Sequence, residues 1–417
     1  MEVDLENPKT LKIQVDTGEN KKRGLPWVLV VFIIVIVLVL MVKLFTSIVM
    51  YRQRKKQERQ CSVIRSSGSI CVLLYNHNNS RSTASTIFSL FHQSYCARNV
   101  YVAVYQELFE GGQDVYDYLK RMVSCVEDQY LIDHNVGIVS VDNTSVGHLW
   151  AIRELLQRNI FPKTSWCMLV HPGAQFEKHW DKTVLDAHHH VGTDSVVLTS
   201  MVTKEPIVKV KSKDTHVVSN WINSLVGQGQ SFLKKQRKGS GSSDVFFPVV
   251  TTFKGYVPVI SKQRFSQSPD RPVKVSAVTS QCTFMKMSTM LNMLDLELFN
   301  VPVASYATDT VLSAMLWMEE STFHAIRPVV HSSSTSKKEN IRPEFWDGKQ
   351  ISTILQKDYQ PYFDYLGIDL TKRIVSGRAM MGISPTQSMD EILTKYGSMA
   401  EYDRVQRRLK IDTSPIE

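Results

Sequence analysis

The apolar positions of the chain change character three times. Residues 1–24 carry five acidic and five basic side chains with no apolar period, a polar tail with too little apolar surface to fold. Leu25 to Tyr51 is almost wholly apolar, preceded by Lys21-Lys22-Arg23 and interrupted by Lys43. That run is long enough to cross a bilayer as a helix, with Lys43 snorkelling to the interface. A signal peptide has a shorter apolar core and a small-residue cleavage site, and neither is present. A transmembrane helix over 25–51 is therefore expected, followed by a basic stem over 52–68 with Arg52, Arg54, Lys55, Lys56 and Arg59.

From residue 69 short apolar runs alternate with amphipathic ones. Strands are expected at Ile70–Tyr75, Asn99–Tyr105, Val136–Val141, Trp166–Val170 and Ser195–Ser200. Between them the helical period appears at Thr83–Phe91, Val115–Val126, Gly147–Leu156 and Trp180–Ala187. Strands alternating with helices predict an α/β fold, a mostly parallel sheet with helices on both faces. Lys234–Ser243 reads as a charged Gly/Ser-rich loop, and Val245–Ile260 and Val273–Met287 as extended chain. A helix is expected at Thr308–Met318 and a polar linker at His331–Asn340. Helical pieces follow over Ile351–Leu409 with breaks at Gly367 and Gly382, so residues 69–410 read as one domain without internal repeats.

Charge changes this picture little. The net charge of +9 over 417 residues favours phosphate-bearing ligands or anionic lipid. It is not gathered into a stripe interleaved with aromatics, so nucleic acid is not an expected partner. None of the six cysteines forms a C-x-x-C pair, which removes the usual zinc and redox motifs. Cys71, Cys125 and Cys167 lie in apolar runs and are expected as small core residues. His188-His189-His190 are adjacent on a helix and point in different directions, so they do not make one metal site.

Membrane orientation draws on opposed signals. Basic residues outnumber on the carboxyl side of the apolar run, which by the positive-inside rule puts the large domain in the cytosol. Two glycosylation sequons, at Asn78 and Asn143, put it in the lumen.

Candidate chemistry gathers at Cys167–Asp181, where a buried strand stops at His171-Pro172-Gly173 and a helix-like segment with Phe176 and Trp180 follows. Carboxyl ends of strands are where open α/β sheets take ligands. The stretch resembles the strand-end motif of GT-A-fold glycosyltransferases that add N-acetylglucosamine to protein hydroxyls. In that family the turn reads Asp-Ser-His and holds a divalent metal against the sugar-nucleotide diphosphate. The resemblance runs over roughly 69–403. Tyr75-Asn76-His77 stands where the family has Tyr-Arg-Asp, and Gly147-His-Leu-Trp-Ala-Ile-Arg153 where it has Gly-Pro-x-x-Ala-Arg. Tyr306-Ala-Thr-Asp309-Thr310 stands at its Gly-Glu-Glu, and Val329-Val330-His331 at a strand ending in His.

The resemblance implies a single-pass anchor, a lumenal domain in the Golgi or endoplasmic reticulum, and transfer from UDP-N-acetylglucosamine to a Ser, Thr or hydroxyproline hydroxyl of a protein acceptor. It places Tyr75, Asn76, Trp150, Arg153, Lys178, Trp180 and Asp181 around the nucleotide sugar, and Asp309 at the acceptor. It leaves His171 and His331 as the groups for Mn²⁺ or Mg²⁺, because Pro172 and Gly173 offer no side-chain ligand. Hard divalent ions prefer oxygen, and the acidic turn that would supply it is absent. Two functions follow: a transferase, or a catalytically inactive membrane glycoprotein that keeps the fold for binding.

Overall fold

In the computed structural model, residues 31, 34–45, 47–48 and 61–408 are described, with breaks at 62–67, 110, 124, 143–145, 162, 202, 205–244, 267–268, 302, 304–305 and 333–347. The chain divides into two compact units, Met1–Gln60 and Cys61–Glu417. In the first, residues 34–45 are helical and expose Val35, Leu38, Leu40, Met41 and Phe45. Among the described residues no helix is long and apolar enough to cross a membrane. The remainder of the expected 25–51 span, and the Lys234–Ser243 loop, lie outside the described residues.

The second unit is built on an eight-stranded sheet. Its strands are β1 (Ile70–His77), β2 (Val100–Leu108), β3 (Val136–Asp142), β4 (Trp166–Val170), β6 (Val196–Thr199), β10 (Val273–Lys274), β11 (Cys282–Lys286) and β12 (Thr322–Ala325); β7 (Thr203–Lys204) and the hairpin of β8 (Phe246–Lys254) and β9 (Val257–Arg264) lie outside it. Their order is β10-β12-β6-β11-β4-β1-β2-β3. β4, β1, β2 and β3 run parallel, as do β6 and β12, while β11 runs antiparallel to both β4 and β6. The expected α/β class, with a mostly parallel sheet, is what forms.

Side-chain alternation along β1 sorts the core into two layers. Ile70, Val72 and Leu74 pack with helices α1 (Ser80–Gln93), α2 (Val115–Met122), α3 (Val126–Asn135) and α5 (Trp180–Val191). Cys71, Leu73 and Tyr75 belong to the layer that also holds α4 (His148–Arg158), α6 (Met287–Asn292), α7 (Thr308–Met318), α8 (Gly348–Asp358) and α9 (Gln360–Leu366). Helices therefore cover both faces, which is why these strands are apolar throughout rather than alternating.

Three local expectations differ. The helix expected over 115–126 stops at Met122, where Val123 turns extended, and resumes at Val126; Cys125 between them is exposed rather than in the core. The segment after β4 is not helix-like at first. Ala174–Phe176 forms a short strand, β5, paired antiparallel with β13 (Val330–Ser332). The start of the expected 331–340 linker is thus strand, and only a distant partner reveals it.

Candidate functional site

The carboxyl ends of β1 and β2 carry Tyr75-Asn76-His77 and Gln106-Glu107, in register side by side. Glu107 is 1% exposed. Its Oε2 accepts from the Tyr75 hydroxyl at 3.0 Å and lies 3.0 Å from His77 Nδ1, and its Oε1 accepts from the Val146 amide at 3.1 Å. Burial alone would raise this carboxyl, but the hydrogen bonds from His77, Val146 and Tyr75 outweigh it and hold it below the ordinary value.

Helix α4 brings a second group to the same end. It opens at Gly147, whose φ of +84° and close approach to Val303 O, 2.9 Å from where a Cβ would stand, suit only glycine. No side chain caps this helix start. His148, its first residue, stacks on His171 with centroids 4.7 Å apart and meets the Tyr75 ring edge-on at 6.1 Å. His148 is 7% exposed, and its Nε2 has no hydrogen-bond partner. Burial, then the neighbouring His171, hold its pKa well below the ordinary histidine value. His171 Nε2 lies 3.2 Å from Ser280 Oγ. Ser280 in turn donates from Oγ at 2.6 Å and from its amide at 2.7 Å to Asp309 Oδ1, and Thr279 Oγ1 donates to Oδ2 at 3.2 Å. Burial lowers His171 as well, with Asp309 opposing. Tyr75, His148, His171 and Asp309 are thereby joined through stacking and hydrogen bonds.

Other expected residues serve the scaffold. Asn76 is fully buried; its Oδ1 accepts from the Asn79 amide at 2.9 Å and Thr83 Oγ1 at 3.0 Å, closing the turn into α1. Trp180 is fully buried and donates from Nε1 to Leu90 O. Asp181 is also fully buried, with its two carboxylate oxygens accepting from the Tyr95 and Cys96 amides. Arg153 lies over the Trp150 ring at 4.9 Å and bonds Glu154 at 3.2 Å. Lys178 is exposed, and His331 bonds Glu177. Asn78 is exposed, whereas Asn143 lies outside the described residues.

The turn after β4 has been put to structural use. Gly173, at φ +85°, donates its amide to Thr86 Oγ1 at 2.9 Å. Gln175 and the Phe176 amide bond Ser85 and Ser89. These bonds lay the turn over α1. Among the described residues no three His, Cys, Asp or Glu side chains lie close enough to hold a divalent ion, and Glu107 and Asp309 accept hydrogen bonds from the chain on both oxygens.

Sequence reading missed Glu107, His148 and Ser280 as members of this group. A polar pair ending an apolar strand was a signal for Glu107. His148 directly follows the glycine that opens α4. Nothing local marks Ser280, which reaches the site from the chain before β11.

No protein-family model and no curated protein sequence matches the chain. Among solved structures, the mannosyltransferase PcManGT from Pyrobaculum calidifontis in complex with GDP-Man and Mn²⁺ aligns over 63% of this chain and 55% of its own, with 11% identity and a TM-score of 0.34. TarS 1–349 of S. aureus in complex with UDP-GlcNAc aligns over 82% of each chain, with 10% identity and a TM-score of 0.41. TarS 1–349 in complex with UDP aligns over 63% of this chain and 60% of its own, with 9% identity and a TM-score of 0.34. At these scores the likeness assigns no activity, and the chain spans little more than half of the mannosyltransferase.

Proposed function

We propose that the chain is a GT-A-like, membrane-anchored glycoprotein whose strand-end site binds a UDP-sugar without a divalent ion and does not turn it over. The observation that carries this reading is the pairing of occupied carboxylates with one unpartnered buried ring nitrogen. Glu107 and Asp309 accept hydrogen bonds from the chain's own groups on both oxygens, which turns both carboxylates towards the scaffold. His148 Nε2 is buried and unpartnered at an uncapped helix start. An unmade buried hydrogen bond costs about 1–3 kcal/mol, and a helix amino terminus favours an anion. A diphosphate there satisfies both, with His148 as its Nε2–H tautomer.

Calorimetric titration with UDP tests it. We expect the same affinity in EDTA and in Mn²⁺, no release of sugar from UDP-N-acetylglucosamine, and a loss of roughly tenfold or more in His148→Phe, the value of one hydrogen bond to a charged group. A strict Mn²⁺ requirement, or no UDP binding, overturns the reading. His171→Asp alone should not create turnover, because groups that act as a unit are not restored singly.

A second reading is slow, metal-independent transfer of N-acetylglucosamine to a protein hydroxyl. Asp309, half-buried in the first turn of α7 and bonded to Ser280 and Thr279, favours it. Turnover in the unmodified protein that falls in Asp309→Asn would establish that alternative.

We place the large unit in the lumen of the Golgi or endoplasmic reticulum. The Cys61–Cys96 disulfide supports this side, since such bonds persist in oxidising compartments. It outweighs the basic stem, and the exposed Asn78 agrees with it. The exposed apolar helix at 34–45 supports the anchor. Expressed in a secretory cell, the protein should shift to higher gel mobility on enzymatic deglycosylation, and Asn78→Gln should remove part of that shift. An unglycosylated protein, digested by protease added from the cytosolic side, reverses the topology.

A further inference from the structure

A cavity of about 390 Å³ opens along α5, between that helix, the turn before β10 and the end of β12. β12 lies three strands from β4, roughly 14 Å across the sheet at ordinary strand spacing. It is thus distinct from the strand-end group around His148 and His171. One face of α5 supplies Thr183, Asp186 and His190 at helical spacing. Asp270 and Arg271 enter from the turn, whose backbone is fixed on both sides by Pro269 and Pro272, and Arg327 follows β12.

The charges in this groove are unevenly satisfied. Asp186 is bonded to Lys182. Arg271 and Arg327 form no ion pair among the described residues, and Arg327 has only a 3.4 Å contact from Nη2 to Thr183 Oγ1. Two guanidinium forks, which match planar or tetrahedral oxyanions, therefore face a cavity whose one carboxylate without an ion pair is Asp270. A polyanion would meet Asp270 and Asp186 as repulsion. A single oxyanion on a polyol suits both signs of charge: the arginines take the anion, and Asp270 and Thr183 take hydroxyls.

We propose that this groove binds a sugar bearing one oxyanion group, a uronate carboxylate, a sulfate ester or a phosphate ester. The test is calorimetric titration of the full-length protein in detergent, at constant ionic strength, with glucuronate, glucose 6-sulfate, glucose 6-phosphate, neutral glucose and inorganic sulfate. At least one sugar anion should bind saturably, and the preferred anion identifies the source. Glucose should not bind. Inorganic sulfate should bind at least tenfold more weakly than that sugar anion. Arg271→Ala and Arg327→Ala should each weaken binding about tenfold, the value of one charge-assisted contact. Arg98→Ala, at an exposed arginine elsewhere, should not change it. These substitutions are at exposed positions, where melting temperature should hold. No saturable binding, undiminished binding in both arginine variants, or equal affinity for inorganic sulfate overturns the proposal.

Discussion

Asp181→Asn will destabilise the folded unit by about 3 kcal/mol and leave UDP affinity unchanged. The carboxylate is fully buried, and its two oxygens accept from the Tyr95 amide at 2.6 Å and the Cys96 amide at 2.8 Å. An asparagine keeps one acceptor and turns an NH₂ group towards the second amide. One buried N–H then loses its partner and faces another donor, and such losses cost about 1–3 kcal/mol for each unsatisfied group, more where a charge was involved. The contact also joins the start of α5 to the segment that carries the Cys61–Cys96 disulfide, so its loss loosens two elements together. Burial raises the carboxyl's pKa and the backbone amides of Tyr95, Cys96 and Lys182 act against that, which marks a group whose charge depends on those bonds. Urea unfolding measures the effect. A variant that unfolds at the original midpoint but no longer binds UDP would make Asp181 a ligand contact and not a scaffold one.

Asp181 also shows how a motif frame can be legible while the role of its residues is not. Strand positions were readable because strands covered on both faces are continuous apolar runs, and β1, β2, β3 and β4 all appear where those runs lie. The length of α7 was readable from its apolar period. β5 was not, because three residues carry no period and their partner, Val330–Ser332, is more than 150 positions away. Within the candidate site, Tyr75, His171 and Asp309 stand at strand ends and a helix start, positions the alternation locates. Whether a polar residue there faces a ligand or the backbone depends on tertiary neighbours. Asn76 and Asp181 face the backbone, whereas the buried His148 Nε2 and Arg153 Nε, both in the Gly147–Arg153 segment, have no hydrogen-bond partner.

Unfolding free energy should fall by about 5 kcal/mol between pH 7 and pH 4, most of it through buried histidines. His188 is pushed down from 6.5 to about 4 by burial, then by His189, Lys286 and His324, with Asp194 opposing. His324 is pushed to about 4 by burial, then by Lys274 and Lys395, with Glu391 and the Thr322 backbone opposing. In the unfolded chain both titrate near 6.5, so between pH 6.5 and 4 the unfolded state binds more protons and stability falls as pH falls. Above pH 6.5 the two contribute no slope. One pKa unit is about 1.4 kcal/mol, which gives at most about 3 kcal/mol for the buried His188 and roughly half that for the partly exposed His324. His148 and His171 are lowered in the same direction and add to the loss. Glu107, held below its ordinary value, adds a further loss only at the acid end of the range. A domain with ~5–15 kcal/mol of stability is brought near its limit by such a change. The neighbours of His188 explain why it stays neutral: its ring meets Trp166 edge-on at 4.6 Å and Phe284 at 6.4 Å, and its Nε2 has no partner. His188→Phe should therefore flatten the loss by at most about 3 kcal/mol, since a phenyl ring suits the same aromatic surroundings and carries no proton. Urea midpoints measured at pH 7, 6, 5 and 4 on both proteins decide it. A slope as steep in His188→Phe as in the unmodified chain would show that acid acts elsewhere, through the carboxylates rather than this pair.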